Sequence, residues 1–537
     1  MPEKVISNNQ SLVPFLGERL SFIKGLDPLG LQNSSDATFS MLLPGLNNVT
    51  GRMRYYSLYC WLLNEYSIQK GNTDPKEFQI FIRRAEYIIA LASNFYSNEV
   101  SSIPGSLYTS KQIKEDPEYQ HNLQEGTFKS NGITENTYWK FPLGAFGQYY
   151  LGSLLDIGVI SRRESQRKLY VRTPVKNSEY ISGESLAQVF NSNINPEKKK
   201  LFFDCLNNGL ISEAQLQHLL PDFDMQIIPE NSEEHNLLLG ILLQKDFPLR
   251  IEEEPQSHRK TTIRYLLEFL SIGSVEFNDR LFIYSTFKDK GYRNDIPEKT
   301  LTGWYYYQFN EYWQFANTAI LNGILAYLES TTGPNWMPLK TFLKLITDEI
   351  ISTFINKKLI NRPNDSVESL LLKIQADEFL FYQTIAKSNL LDKAFNGFLL
   401  IFSLFLNNEN ELYRLKEYSE NNEVAKDGEG TTYFIIEFLS KRTVPLKDFI
   451  FEFLHKNIIY RHQYVAYRKI RGGIQSTQKF IIEDHQIRYL GNFEPTYTGP
   501  RIGNLISFLK DLTVIRKDNT LTDKGLELLN KLRNGIN

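Results

Sequence analysis

Arg461 and Arg468 stand seven residues apart, a spacing that places both on one face of a helix, with Lys469 and Arg471 just beyond them. Further on, Arg501 follows Pro500 at the start of another helical pattern, Arg516 and Lys517 lie in a short turn, and Lys524 opens the helix after it. Side chains of this kind bind phosphate, through charge-assisted hydrogen bonds and the release of counterions condensed on duplex DNA. From residue 441 onward, seventeen Lys and Arg stand against nine Asp and Glu, a net of +8 in a chain whose total is −2. The charge is segregated, so these eight residues are the first candidates for contact with the backbone of double-stranded DNA. Lys469 and Arg471 also have a purely structural reason to be there, because cations are stabilised at a helix C-terminus.

A second basic set comprises Arg52, Arg54, Arg162, Arg163, Arg167 and Lys168. Arg52 and Arg54 fall in the first turn of a helix, where the dipole disfavours cations, and so must answer to an anion. That anion is a phosphate, a carboxylate of a partner, or an acidic side chain elsewhere in this chain. Catalytic patterns are missing by comparison. There is no phosphate-binding Gly-x-x-x-x-Gly-Lys-Ser/Thr loop, no His-Glu-x-x-His and no Cys-x-x-Cys. Pro221-Asp222 followed by Glu230 has the outline of a nuclease carboxylate pair, but Ser232 occupies the position where that pattern places Lys. His455 and His462 share a seven-residue spacing without a neighbouring carboxylate. No catalytic residue, metal ligand or cofactor is assigned, and an enzyme is unsupported.

The elements that must position these residues show an echo. Asp156-Ile157-Gly158-Val159-Ile160 and Asp511-Leu512-Thr513-Val514-Ile515 each end an apolar-periodic helix and pass into a basic hairpin, after which a further helix begins. Helix, hairpin, helix is the order of a winged-helix module. Such modules insert a helix in the DNA major groove with the hairpin on the backbone, or dock on a protein subunit, and sequence leaves that choice open. The expected fold is mainly α, a multi-domain helical protein with two winged-helix-like modules. The regions expected are 1–135, helical; 136–195, the first module; 196–440, a helical body; and 441–537, a long basic helix with the second module. The second module is expected to face phosphate, and the first to serve in packing or partner docking.

Several finer expectations follow. Thr73-Asp74-Pro75 starts a helix, Thr50 caps another, and Asn231 with Glu234 forms a capping box. Helices are predicted over 258–272, 299–330, 339–355 and 444–470, and a hairpin over 480–489. Eight of the twelve residues from Trp304 to Phe315 are aromatic, which suits a core hub better than a surface for bases. A length of 537 residues implies two to four domains, and 23% charged residues excludes wholesale disorder. Two cysteines, Cys60 and Cys205, make no disulfide framework and fit a reducing cytoplasm. The N-terminus lacks an apolar signal core, and the most apolar run, 397–406, is about half the length that spans a bilayer, so no membrane association is expected.

The run Leu43-Pro44-Gly45, Thr50, Arg52-Met53-Arg54-Tyr55-Tyr56 and Trp61 resembles the opening of poorly characterised bacterial proteins associated with antiphage defence loci. The resemblance continues from Tyr150-Leu151-Gly152 through Ile160, and at Arg461-His462-Gln463-Tyr464-Val465-Ala466. It brings no catalytic motif and implies a setting rather than a reaction. The resulting expectation is a non-enzymatic DNA-binding and assembly component of a bacterial defence complex, with one or more protein subunits as partners. The alternatives are a protein-only scaffold recruiting an ATPase or nuclease subunit, and a nuclease effector without a recognisable motif.

Overall fold

Two helices of this chain are apolar on nearly every side, and each becomes the centre of one compact unit. In a computed structural model, described over residues 21–22, 27–96, 102–124, 128–129, 132–133, 138–163, 166–175, 180–247, 255–272, 278–424, 429–470 and 475–535, these are Tyr55–Lys70 and Lys299–Thr332. One unit consists of Phe39–Phe282 with Gly499–Asn537, the other of Met1–Thr38 with Ile283–Thr498. Residues 441–498 therefore belong to one unit and 499–537 to the other.

In the first unit, every side chain from Tyr55 to Leu63 is buried. Trp61 packs among Phe190, Phe202, Phe203 and Phe223, with ring centroids 5.1–5.9 Å away. Tyr55 stacks on Tyr150 at 4.9 Å, and Tyr59 meets Phe146 at 5.1 Å. Pro75–Tyr96 follows, its start fixed by Asp74, whose carboxylate accepts the Lys76 amide at 2.8 Å. The Tyr55–Lys70 helix is not capped by Thr50. Arg54 occupies the N-cap position in helical conformation with no side-chain cap. The box expected of Asn231 and Glu234 does not form: Asn231 has φ 56° and serves as the turn, while Ser232 alone caps the Glu233–Leu243 helix through His235 N at 3.1 Å.

In the second unit the 34-residue Lys299–Thr332 helix is buried continuously from Thr300 to Ala326, so the aromatic run is a core hub. Its rings meet those of neighbouring helices, Trp313 stacking on Tyr433 at 4.9 Å and Phe309 meeting Phe434 edge-on at 5.7 Å. The apolar Leu390–Asn408 helix packs along it, and where Gly397 faces it an added Cβ would lie 2.8 Å from the Ala316 carbonyl. Strands Phe480–Glu483 and Gln486–Tyr489 form the expected hairpin, extended by Trp336–Pro338 into a three-stranded antiparallel sheet. The long helix expected over 444–470 runs from 446 to 469, but seven of its residues, Leu454–Tyr460, form a π-helical segment. The fold is mainly helical, and among the described residues no helix is long and apolar enough to cross a membrane.

Candidate nucleic-acid interface

The sequence echo is a structural echo, and both copies lie in the first unit. The first copy is Leu151–Ile157, strands Ile160–Arg163 and Gln166–Arg172, and Gly183–Ser192; the second is Ile502–Asp511, a single bridge from Ile515 to Leu521, and Asp523–Arg533. In each, a valine carbonyl is clasped by a threonine. Val159 O accepts Thr173 N at 2.9 Å and Thr173 Oγ1 at 3.1 Å, and Val514 O accepts Thr522 N and Thr522 Oγ1, both at 3.1 Å. In each, the same hydroxyl accepts a glycine amide at 3.0 Å, from Gly183 and from Gly525. A Cβ at Gly183 would lie 1.9 Å from Val159 O, and one at Gly525 would lie 2.3 Å from Val514 O. Gly183→Ala and Gly525→Ala are therefore each expected to cost about 1–3 kcal/mol of overpacking. Gly503→Ala, whose Cβ meets nothing within 4 Å, is expected to be neutral or slightly stabilising, and urea unfolding of the three variants checks the contrast.

Arg52 and Arg54 join these modules to the central helix. Arg52 Nη1 lies 2.6 Å from Asp511 Oδ1, the Met53 amide donates to Asp511 Oδ2 at 3.0 Å, and Arg52 Nη2 donates to Gln226 at 3.1 Å. Burial pushes the Asp511 carboxyl up to about 6, against the lowering pull of Arg52 and the Met53 amide. Arg54 is buried; it pairs with Glu234 at 3.3 Å and donates to Asp224 O at 2.8 Å. His235 Nε2 lies 2.8 Å from the Leu512 carbonyl, and Asn504 donates to the carbonyls of Asn47 and Thr50 at 2.8 and 2.9 Å. The Arg-x-Arg segment thus answers to acidic side chains of its own chain, and the Leu-Pro-Gly to Tyr-Tyr stretch is a structural lock.

The remaining basic residues separate by environment. Arg516, Lys517 and Lys524 are exposed and Lys510 is half-buried, and none of the four is in an ion pair among the described residues. Lys510 Nζ donates to the Lys517 carbonyl at 3.1 Å, drawing the end of one helix to the turn. The Arg516 guanidinium closes that turn on the Leu521 carbonyl. Arg501, in left-handed backbone with φ 53°, lays its guanidinium over the Phe39 ring at 4.7 Å. In the first module Arg162 and Lys168 are exposed, Arg162 over Tyr170 at 5.9 Å, and Arg163 reaches the Gly71 carbonyl at 3.5 Å. Arg167 lies on the Gln166–Arg172 strand, and its side chain is outside the described ones. In the other unit, Arg461 donates to Leu29 O at 2.6 Å, Lys469 Nζ to Asp27 O at 2.5 Å, and Arg468 is exposed. Arg471 lies outside the described residues. Lys510 was absent from the sequence candidates. Its position in the last turn of a helix ending at the basic hairpin is the signal that points to it.

No catalytic constellation assembles among the described residues. His462 is buried between Pro28 O, 2.9 Å from Nδ1, and the Lys479 amide, which donates to Nε2 at 3.0 Å, whereas His455 is half-exposed. Asp222 accepts the Asn195 amide and pairs with Lys198 at 2.9 Å. No group of His, Cys, Asp or Glu that could hold a metal ion occurs among the described residues. Two carboxyls, Glu86 and Glu311, are pushed up to about 7 by burial, into the range of a general base. Both accept backbone amides inside the core, Glu86 from Ala145 and Phe146, Glu311 from Thr498. No family model, curated protein or solved structure matches this chain. The turn of the second copy presents Arg516 and Lys517 to solvent, with the half-buried Lys510 beside them.

Proposed function

We propose that this chain is a non-enzymatic DNA-binding and assembly component of a bacterial defence complex, its second helix–hairpin–helix copy acting as a winged-helix module on duplex DNA. The observation that carries the DNA part is the set Arg516, Lys517 and Lys524, exposed, with the half-buried Lys510 reaching the Lys517 carbonyl, none of them in an ion pair among the described residues. Four such cations on a backbone would release about four counterions, a sequence-tolerant and salt-sensitive mode. The hairpin of this copy is short and basic, the form a wing takes against phosphate. The first copy is tied by Arg163 to the Gly71 carbonyl, which favours a packing role for it. Assembly and the defence setting rest on the resemblance of the Leu-Pro-Gly, Arg-x-Arg-Tyr-Tyr segment.

The test is titration of a labelled 20-base-pair duplex with the full chain. Affinity is expected to fall about 100-fold between 50 and 200 mM salt, and Arg516→Glu with Lys517→Glu is expected to lower the salt slope by about two. No duplex binding at 50 mM salt sinks the proposal.

A further inference from the structure

The helix over 446–469 in the second unit carries a row of rings that the duplex-binding proposal does not use. Its buried positions Ile450, Leu454, Ile458, His462 and Ala466 recur every four residues. In an α-helix each such step over-rotates by about 40°, so the buried stripe would wind away from the core within a few turns. The Leu454–Tyr460 π segment, with its wider i to i+5 turn, takes up that drift. The outward positions then fall at Phe451, His455, Tyr460, Tyr464 and Arg468, with one five-residue step across the π segment. Phe451 and His455 rings lie 6.3 Å apart, His455 and Tyr460 4.5 Å, and the Arg468 guanidinium sits 5.5 Å over Tyr464.

Three of these rings are far more exposed than tyrosines of a core: Tyr460 at 45%, Tyr464 at 59% and, beside the row, Tyr467 at 52%. No exposed aliphatic side chain accompanies them on this helix. Arg468 and Lys469 are exposed at its end, while Glu452 at its start is shared by Lys456 at 2.6 Å and Lys441 at 3.0 Å. Burying phenol rings together with cations suits an anionic chain that offers flat faces, and the absence of aliphatic anchors argues against the apolar centre of a protein interface.

We infer that this ladder is a stacking platform for single-stranded nucleic acid. From residue 451 to 468 the platform is about 25 Å long, room for a short run of extended nucleotides. Bases stack on the tyrosines, Arg468 stacks and neutralises phosphate, and recognition is tolerant of sequence because every base has a π face.

The test uses the full chain at 50 mM salt with three labelled probes: a 20-nucleotide oligothymidylate, an abasic strand of equal length, and a 20-base-pair duplex. The oligothymidylate is expected to bind more tightly than the abasic strand, and Tyr464→Ala and Tyr467→Ala each to weaken it about fivefold or more. Tyr464→Trp is expected to keep or raise the affinity, and duplex binding is expected to be unchanged in all three variants. Equal binding of the abasic strand, unchanged affinity in the double alanine variant, or no oligothymidylate binding overturns the inference. So does loss of a co-purifying protein in that variant with oligonucleotide binding intact, which would mark a protein interface. Arg516→Glu with Lys517→Glu separates the two proposals, since it is expected to weaken the duplex and spare the single strand.

Discussion

Glu234→Ala is expected to destabilise its unit by about 3–5 kcal/mol, the cost of leaving a buried guanidinium without its carboxylate. Arg54 is 1% exposed and Glu234 fully buried, so solvent does not replace the lost partner. The carboxylate also accepts Ser57 Oγ at 2.6 Å and Asn193 Nδ2 at 2.8 Å, so its removal strips three donors at once. Arg54→Met alone is expected to cost a comparable amount for the converse reason. The double variant should cost clearly less than the sum, because a buried pair owes little net stability to its Coulomb attraction once both desolvation penalties are removed. Urea unfolding followed at the amides of Tyr55–Lys70 measures all three. An additive double variant would mean that the two groups do not act as a pair.

The same lock shows where sequence reading reaches and where it stops. Helix ends at 258–271, 299–332 and 339–356 were legible because they follow from local periodicity and start signals. The aromatic run Trp304–Phe315 was legible as core because its rings occupy several faces of the helix, more than one exposed stripe would carry. Arg52 and Asp511 are 459 residues apart, and no local pattern reports a partner at that distance. The echo was visible in its Val-Ile turns, but its common clasp was hidden. Thr173 precedes Gly183 by ten residues and Thr522 precedes Gly525 by three, so the loop between them conceals the equivalence. The π segment at Leu454–Tyr460 was hidden for a related reason. A seven-residue spacing assigns His455 and His462 to one face of a regular α-helix, and one extra residue in a turn is enough to separate them. The outward tyrosines on this helix therefore did not stand out as a surface in the sequence.

Acidification from neutral pH is expected to strengthen the first unit, and Glu86 is the group that makes it do so. Burial pushes its carboxyl up to about 7, opposed in part by the Ala145 and Phe146 amides at 2.8 and 2.7 Å and by the Tyr59 hydroxyl at 3.0 Å. In the unfolded chain the same group titrates near its ordinary value of 4.5. Between those two values the folded chain holds a proton that the unfolded chain has released, so stability falls as pH rises through this window. The displacement corresponds to about 3 kcal/mol lost from Glu86 between pH 4.5 and values above 7. Asp246 and Asp511, pushed up to about 6 by burial, lose stability in the same direction over a narrower span. Glu86→Gln keeps an acceptor for one amide and cannot ionise, so its stability should be lower at pH 5 and fall less steeply toward pH 8. Hydrogen exchange across Pro75–Tyr96 at both pH values, in the parent and the variant, reads the difference. Parallel pH dependences in the two proteins would show that the Glu86 carboxyl titrates normally in the fold.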